Sequence, residues 1–285
     1  MPHQPQPMTN KICLITGANA GIGKATALGL AKMGARVVMV CRNQARGELA
    51  LNEIKAQSGN SSVSLLLADL SSQAEVRQLA ADFQAQYPAL HVFINNAAII
   101  PQRRMVTVDG IELQLAVNHL APFLLTNLLL DLLKASAPAR IINMSSEVHR
   151  WATINFDDLH AKYSYHPSDV YSQTKLANLL FTYQLARRLQ GTGVSVNCLH
   201  PGVIATNLLS DYMGKPRTYD STRHDMGSTP ETGARQSLYL ATSAEVEGVS
   251  GHYFVKQRAV SSSNASYDQK LGRELWQVSE ELTEL

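Results

Sequence analysis

Tyr171 and Lys175 have the clearest capacity for proton chemistry in this sequence. They stand four positions apart in the segment YSQTK, a spacing that places both side chains on one face of a helix. An ammonium beside a phenol favours the phenolate, so we expect Lys175 to lower the pKa of Tyr171 from its usual value of about 10. Such a tyrosine can exchange a proton with a substrate oxygen. The YxxxK spacing alone is a weak signal, because it arises by chance in many helices.

A glycine-rich turn, TGANAGIG at residues 16–23, provides a candidate phosphate site. The turn follows an apolar run and leads directly into an Ala-rich segment. Gly17, Gly21 and Gly23 let backbone N–H groups approach a pyrophosphate, and the N-terminus of a helix adds a favourable dipole. Three residues separate the first two glycines, so the spacing differs from the GxGxxG fingerprint. A tight connection without a ligand is the alternative interpretation.

The residues after the next two apolar runs bear on which dinucleotide would bind. A fold that binds NAD usually offers a carboxylate to the ribose 2′-hydroxyl about 20 residues past the glycines. Residues 39–42 read MVCR and contain none, whereas Arg42 could pair with a 2′-phosphate. A solvated surface arginine is the alternative, but the missing acid favours NADP(H), with NAD(H) as the second option. Asp69 is a candidate either for the adenine amino group or for a helix N-cap.

Apolar runs alternate with segments of helical periodicity along the chain. Ala, Leu and Val recur every three to four residues at 22–33, 45–57 and 74–86, as in amphipathic helices. The alternation predicts an α/β fold, a single Rossmann-type doubly wound domain with a seven-stranded parallel sheet and helices on both faces. The seven predicted strands lie at residues 12–15, 36–40, 63–68, 91–94, 140–144, 194–199 and 251–255.

The length of 285 residues suits one domain that spans the whole chain. Residues 1–9 are polar and Pro-rich, which predicts a flexible N-terminus. The segment 207–230 is rich in Gly, Pro, Ser, Thr and Asp and lacks clear periodicity. A loop of that length is usually a functional lid or disordered, and we predict a substrate lid.

Several motifs stand in the order in which the short-chain dehydrogenase/reductase family has them. These are TGANAGIG, NNAA at 95–98, Asn118, the pair Ser145 and Ser146, YSQTK, and HPG at 200–202. The chain resembles this family over nearly its whole length. The segments CRN, NMSSEVH, YSQTKLANLLF, HPGVIATNL and GHYF…LWQVSEEL resemble its retinol dehydrogenase subgroup, whose members often act on lipophilic carbonyls and alcohols with NADP(H).

The resemblance implies a role for each matching residue. Tyr171 would be the acid/base, and Lys175 would lower its pKa and bind the nicotinamide ribose. Ser146, with Ser145 as the fallback, would hydrogen-bond the substrate oxygen, and Asn118 would hold a water that links Lys175 to solvent. The Val203 backbone and the Thr206 hydroxyl would fix the nicotinamide carboxamide. The implied cofactor contacts, besides Tyr171 and Lys175, are Gly17, Asn19, Ala20, Gly21, Ile22, Gly23, Arg42, Asp69, Leu70, Asn96, Ala97, Ala98, Pro201, Val203 and Thr206.

The sequence also departs from the family pattern. Ala98 replaces the usual glycine, a small-for-small change from which we expect little consequence. The N-terminal membrane anchor common among animal retinol dehydrogenases is missing, so we expect no membrane anchor. The predicted lid is charged, which argues against a retinoid substrate. Its charged or titratable residues are Asp211, Lys215, Arg217, Asp220, Arg223, His224 and Asp225.

Composition excludes several other classes of protein. Apolar residues make up 45% and charged residues 17% of the chain, which suits a globular protein, and no basic stripe supports nucleic-acid binding. Cys13, Cys41 and Cys198 lie in or beside apolar runs, and no signal peptide precedes the first run, so we expect a cytoplasmic protein with reduced cysteines. His119, His149 and His200 lack the spacing of metal ligands, so we expect no metal.

Two Leu-rich helices, at 124–133 and 176–185, either face the sheet or form a homo-oligomer interface. Trp151 could line the substrate mouth or cover the sheet edge. Together these features predict an NADP(H)-dependent oxidoreductase that interconverts a small, moderately lipophilic carbonyl compound and its alcohol. The alternatives are a catalytically silent protein of the same fold that senses NADPH and an S-adenosylmethionine methyltransferase, against which Arg42 argues.

Overall fold

The computed structural model describes residues 7–205, Leu208, Tyr212 and residues 228–285. These residues form one β-sheet with helices packed on both of its faces. The strands are β1 (Ile12–Thr16), β2 (Arg36–Cys41), β3 (Val63–Leu67), β4 (Val92–Asn95), β5 (Ala139–Met144), β6 (Val194–His200), β7 (Tyr253–Val255) and β8 (Arg258–Val260).

The main helices alternate with these strands. They are α1 (Gly21–Lys32), α2 (Gln44–Ser58), α3 (Gln73–Gln86), α4 (Ala121–Leu128), α5 (Leu130–Ala135), α6 (Pro167–Arg188), α7 (Pro230–Thr242) and α8 (Gln269–Thr283). Before α4, an α-helical turn (Leu113–Leu115) continues into a π-helical turn (Ala116–Leu120). Short 3-10 helices lie at Glu147–Trp151, Phe156–Asp158, Ala244–Val246 and Asn264–Tyr267.

The sheet has the order β3-β2-β1-β4-β5-β6-β7-β8. The strands from β1 to β7 pair in parallel, and the chain changes direction across the sheet between β1 and β4. The doubly wound α/β fold is therefore confirmed. In such sheets a ligand binds beyond the carboxyl ends of the strands where the strand order reverses.

The predicted number of strands and their common direction were wrong, because the described residues contain an eighth strand antiparallel to β7. β8 is only three residues long and all of them are exposed, so no apolar run marked it. Lys256 and Gln257 turn the chain between β7 and β8 with φ angles of 49° and 61°. Hairpin turns with two positive φ angles usually contain Asn or Gly, and this one contains neither.

Alternate residues of the strands fill two separate cores. Leu14, Val38 and Phe93 face the layer that contains α3, α4, α6 and α8. Ile15, Met39 and Ile94 face the layer that contains α1, α2 and α7. A parallel sheet covered on both faces buries both sets of side chains, which explains the nearly continuous apolar runs.

The two Leu-rich helices bury their leucines within one chain. Leu124, Leu129, Leu133 and Leu185 are fully buried in the core that contains α3, α4, α6 and α8, and Leu176 is fully buried in a smaller cluster with Leu275 of α8. These leucines therefore face the interior, as one of the two predicted alternatives requires, and the homo-oligomer interface stays a prediction. Within the described residues, no helix is both long and apolar enough to span a bilayer.

Candidate active site

A cleft of about 450 Å³ opens at the carboxyl ends of β1, β4, β5 and β6. It lies at the point where the strand order reverses. Its lining includes every implied cofactor contact except Val203, which is exposed, and Thr206, which is outside the described residues. The lining residues among these predictions are Gly17, Asn19, Ala20, Gly21, Ile22, Gly23, Arg42, Asp69, Leu70, Asn96, Ala97, Ala98, Tyr171, Lys175 and Pro201.

The glycine turn forms one end of this cleft, and two of its glycines are required by geometry. Gly17 has a φ of +66°, a conformation that side chains rarely adopt. A Cβ on Gly23 would lie 2.4 Å from the carbonyl oxygen of Gly17 and 2.5 Å from Asn96 Nδ2. Asn96 Nδ2 donates to the carbonyl oxygen of Thr16 at 2.8 Å. The turn is thus packed tightly against the end of β4.

The N-terminus of α1 has no side-chain cap and no acidic residue in its first turn. The first backbone N–H groups of a helix lack partners within the helix, and a side chain or a ligand usually satisfies them. Because these groups border the cleft, they can bind an anion there. The turn therefore fits the pyrophosphate of a dinucleotide.

Two arginines lie at the far end of the cleft. Arg42 follows β2 and forms an ion pair of 3.3 Å with Asp69, while most of its side chain stays exposed. Arg46, one helical turn later in α2, also lines the cleft and was not predicted. Its spacing of four residues from Arg42 was the only available signal. Asn43 caps α2 by accepting a hydrogen bond from the Arg46 N–H at 2.9 Å, which fixes the start of that helix.

Asp69 does not cap a helix, which removes one of its two predicted roles. Ser72 is the N-cap of α3 and accepts from the Glu75 N–H. The Asp69 carboxylate instead accepts two hydrogen bonds from Ser71, at 2.9 and 2.7 Å. Burial acts to raise the pKa of Asp69, but the bonds from Ser71 and the Arg42 guanidinium outweigh it and hold that pKa below its usual value. Asp69 is therefore a charged acceptor in the cleft wall.

Tyr171 and Lys175 project from α6 into the same cleft, as their spacing predicted. Both are buried, with exposed fractions of 8% and 2%. The Lys175 Nζ lies 5.2 Å from the centre of the Tyr171 ring and donates to the Met144 carbonyl oxygen at 3.1 Å. The two side chains thus converge, with the ammonium held at the end of β5.

The expected lowering of the Tyr171 pKa is not what the structure gives. Burial raises the pKa of the Tyr171 phenol well above its usual value, and the Tyr212 phenol adds to the effect. Burial also lowers the pKa of Lys175 to about 8. Desolvation of both side chains therefore outweighs the attraction between the Lys175 ammonium and a Tyr171 phenolate.

The two adjacent serines have different environments. The Ser145 hydroxyl is buried and donates to the carbonyl oxygen of Lys175 at 2.8 Å, which ties β5 to α6. Ser146 is half-buried, and its hydroxyl makes no cap bond to the short helix Glu147–Trp151 that it precedes. Ser145, not Ser146, is among the cleft-lining residues. Of the two hydroxyls, that of Ser146 has no bond to another described residue.

Residues 11–215, which include every cleft-lining residue except Pro230, match the family model described as short chain dehydrogenase. This match covers the glycine turn, both serines, Tyr171 and Lys175. The chain belongs to the short-chain dehydrogenase family. Members of this family are oxidoreductases that act on alcohols or carbonyl compounds with a nicotinamide dinucleotide.

Several curated relatives of this short-chain dehydrogenase are named retinol dehydrogenases. Retinol dehydrogenase 14 from Homo sapiens is 45% identical over 290 residues, which cover 96% of this chain and 86% of that protein. Retinol dehydrogenase 13 from Homo sapiens is 42% identical over 281 residues, which cover 96% and 85%. The predicted resemblance to this subgroup is confirmed.

Solved structures agree with the fold of this short-chain dehydrogenase. The crystal structure of an uncharacterized protein from Mycobacterium Paratuberculosis superposes with a TM-score of 0.80 at 33% identity, over 99% of this chain and 96% of that chain. A short chain dehydrogenase from Escherichia coli CFT073, solved in complex with NADPH, has a TM-score of 0.71 at 24% identity, over 88% and 98%. The latter likeness supports the fold alone.

In this short-chain dehydrogenase Asn118 lies in the π-helical turn and is fully buried. Its side-chain amide accepts from the Ile99 N–H at 2.9 Å and donates to the Ile99 carbonyl at 3.0 Å. Its own carbonyl oxygen accepts from Asn178 Nδ2 at 2.9 Å. The side chain therefore fastens the loop after β4, and the predicted water link to Lys175 stays a prediction. Single-turn π-helices often occur at functional sites.

Two described residues of the predicted lid reach the site. Leu208 lines the cleft, and the Tyr212 ring packs edge-on against Tyr171 with ring centres 5.9 Å apart. The charged residues that argued against a retinoid lie outside the described residues. Within the described part of the chain, no three His, Cys, Asp or Glu side chains form a metal-binding group.

Sequence reasoning missed the apolar residues that line the cleft. Ile99 follows β4, Leu113 and Val117 lie on the helical turns before α4, and Ala205 follows β6. None of these stands out in sequence, because an apolar residue that faces a cleft has the same pattern as one that faces the core. Only the fold distinguishes the two.

Proposed function

We propose that this chain is an NADP(H)-dependent oxidoreductase that interconverts an aldehyde or ketone and its alcohol, with Tyr171 as the acid/base. The observation that carries the proposal is the presence of Tyr171, Lys175, the glycine turn and Arg42 in the walls of one cleft. The same cleft therefore contains the candidate phosphate site at the glycine turn and the candidate proton-transfer site at Tyr171 and Lys175.

The residues present fit a nicotinamide dinucleotide. The uncapped N-terminus of α1 would hold its pyrophosphate, and Arg42 with Arg46 would hold a 2′-phosphate. Asp69 would accept from the adenine amino group. Bound there, the cofactor supplies the capacity to accept or donate a hydride.

The proton chemistry belongs to the side chains of α6 and β5. Because burial raises its pKa, the Tyr171 phenol is protonated at neutral pH and can donate to a carbonyl oxygen. The Ser146 hydroxyl would donate a second hydrogen bond to the same oxygen. Fixed donors of this kind each contribute about 10²–10³ in rate. The Lys175 ammonium, buried 5.2 Å from the ring centre, would stabilise the phenolate that remains.

Replacement of Tyr171 by Phe tests the proton-transfer role. We expect Tyr171→Phe to lose at least about 10²-fold in kcat while it still binds NADPH, because only the hydroxyl is removed. Tyr163→Phe makes the same change at an exposed residue and serves as the control. Turnover and NADPH fluorescence titration are measured on both. Near-normal kcat in Tyr171→Phe would remove Tyr171 from the mechanism, and NADPH binding without turnover in the unaltered protein would favour an NADPH sensor.

Replacement of the two arginines tests the cofactor preference. We expect Arg42→Ala and Arg46→Ala each to weaken NADPH at least tenfold, since bonds to charged groups contribute about 1.5–3 kcal/mol. NADH lacks the phosphate and should be affected less than threefold. Arg273→Ala, at an exposed position in α8, is the control. Equal losses for both cofactors would make these arginines ordinary surface residues.

We propose that the substrate is moderately lipophilic. Ile99, Leu113, Val117 and Leu208 support this, because they give the cleft an apolar wall. The names of the curated relatives make retinol and retinal reasonable members of the test set. A screen of NADPH oxidation over aldehydes and ketones of graded chain length and polarity, with NADH controls, checks this. A preference for short polar carbonyls would contradict it.

We also propose that the protein works in the cytoplasm. Its three cysteines are all unpaired and buried, as in proteins of a reducing compartment. Cell fractionation with antibody detection tests the proposal, and recovery in the membrane or secreted fraction would contradict it.

A further inference from the structure

His149 lies three residues after Ser146 in the short helix Glu147–Trp151 and is fully buried. Its Nδ1 is 2.6 Å from the carbonyl oxygen of Ser146. Its Nε2 is 3.1 Å from the backbone nitrogen of Ser263, which is the donor. One imidazole ring therefore bridges the turn that carries Ser146 and a distant segment of the chain.

The two partners fix the protonation state of the ring. A carbonyl oxygen can only accept, so Nδ1 must carry the proton, and a backbone N–H can only donate, so Nε2 must be unprotonated. His149 is therefore the neutral Nδ1–H tautomer. Burial lowers the pKa of His149, which keeps the ring neutral despite the opposing effect of its bond to Ser146.

The Ser263 end of the bridge is firmly anchored. The neighbouring Ser262 hydroxyl bonds to Tyr183 of α6 at 2.7 Å and to Ser266 at 2.6 Å. The His149 ring also packs edge-on against Tyr253 of β7, with ring centres 5.0 Å apart. Because α6 also carries Tyr171 and Lys175, the bridge links the Ser146 turn to the helix with the other two reactive groups.

Ser263 comes from a part of the chain that lies beyond the family match at residues 11–215. The bridge therefore joins His149, within the region matched by the family model, to Ser263, which lies outside that match. Ser146 has extended backbone angles, with φ −156° and ψ 156°, and only its carbonyl is tied by this bridge. A clamp on the carbonyl limits rotation of the turn, while the Ser146 hydroxyl has no hydrogen-bond partner in the described part of the chain.

We propose that His149 is a positioning residue that, by bridging the Ser146 carbonyl to the Ser263 N–H, fixes the direction in which the Ser146 hydroxyl meets the substrate oxygen. This inference rests on the proposed function, in which Ser146 is the second hydrogen-bond donor. A packing role alone would need the volume of the ring but neither of its hydrogen bonds.

Two amide side chains separate the two ends of the bridge. His149→Asn can place its Nδ2 where the Nδ1 of histidine was, so it keeps the bond to Ser146 and loses that to Ser263. His149→Gln can place its Oε1 near the position of Nε2, so it keeps an acceptor for Ser263 and loses the side-chain bond to Ser146, whose carbonyl oxygen still accepts from the backbone N–H of residue 149 at 3.2 Å. Both substitutions lose the ring. They differ mainly in which bond survives.

We expect His149→Gln to lower kcat about 10- to 100-fold and His149→Asn to lower it at least fivefold less, with the KM for NADPH within twofold in both. Ser263→Pro removes the donor without altering His149, and the φ of −72° at Ser263 suits proline. We expect it to lower kcat about fivefold relative to Ser263→Ala, which retains the N–H. If His149→Gln does not fold, the comparison of kcat between Ser263→Pro and Ser263→Ala tests the inference by itself.

The Ser146→Ala background tells positioning from packing. If His149 acts through Ser146, adding His149→Gln to Ser146→Ala should lower kcat by less than about twofold, since the hydroxyl is already absent. An undiminished loss in that background overturns the inference, and so does equal kcat for the Gln and Asn variants or for the Ser263 pair. If the unaltered protein turns over no carbonyl, the proposed function falls and this inference with it.

Discussion

At the scale of single residues, Lys175 illustrates how desolvation works against a charge. Lys175 is 2% exposed, and among the described residues its ammonium donates a hydrogen bond to the Met144 carbonyl oxygen. Sequence spacing predicted correctly that Tyr171 and Lys175 share a helix face. It could not predict how deeply they are buried, and burial decides both of their pKa values.

The burial of Lys175 predicts a pH-dependent stability difference. Its pKa is about 8 in the folded protein and 10.5 in an ordinary setting, so unfolding takes up a proton between these values. The free energy of unfolding therefore rises with pH across this window, by up to about 3 kcal/mol. Below pH 8 both states hold the proton, so Lys175 causes no change of stability with pH there. Relative to Lys175→Met, we expect the unaltered protein to gain stability from pH 8 to 10.5.

Urea unfolding at several pH values measures this difference. Lys270→Met alters an exposed lysine in α8 and supplies the reference for loss of a lysine without burial. A stability difference between the protein and Lys175→Met that stays flat across the window would mean that Lys175 is not desolvated. We also expect Lys175→Met to be inactive, because no ammonium remains to stabilise the phenolate.

At the scale of elements, the glycine turn predicts a sharp contrast between two glycines of α1. A Cβ on Gly23 would meet backbone, whereas a Cβ on Gly29 would meet only the side-chain tip of Leu238. We expect Gly23→Ala to weaken NADPH binding at least tenfold and Gly29→Ala to change it less than twofold. Fluorescence titration checks both, and equal affinities would mean that the turn tolerates displacement.

Strands and helices were predictable to different degrees from the sequence. β1, β2, β4, β5 and β6 stood out because both of their faces are buried, which leaves continuous apolar runs. β8 and the π-helical turn did not, because one is exposed and the other has the composition of an ordinary buried helix. Ser146 and Asn118 were located only through the family resemblance, since an isolated serine or asparagine carries no periodic signal.

At the scale of the whole molecule, α8 covers the core that also contains α3, α4 and α6. Trp276 packs against Phe123 and Phe181, with ring centres 4.9 and 5.7 Å away, and Arg188 lies 3.9 Å above its ring. We expect Trp276→Ala to destabilise the protein by about 3–5 kcal/mol through the cavity that it leaves. Urea unfolding measures this, with exposed Trp151→Ala as the control. Equal effects would place α8 outside the cooperative core.

A row of buried polar groups on α6 has one more consequence. Lys175 and Asn178 both donate to Met144, and Thr182 accepts from Asn143, which in turn accepts from Asn95. Sliding this helix by one turn, about 5.4 Å, would strand these groups in the dry interior at roughly 1–3 kcal/mol each. These hydrogen bonds fix the height of the Tyr171 phenol above the sheet. We therefore expect α6 to stay in place during entry and exit of ligands, with movement confined to the surrounding loops.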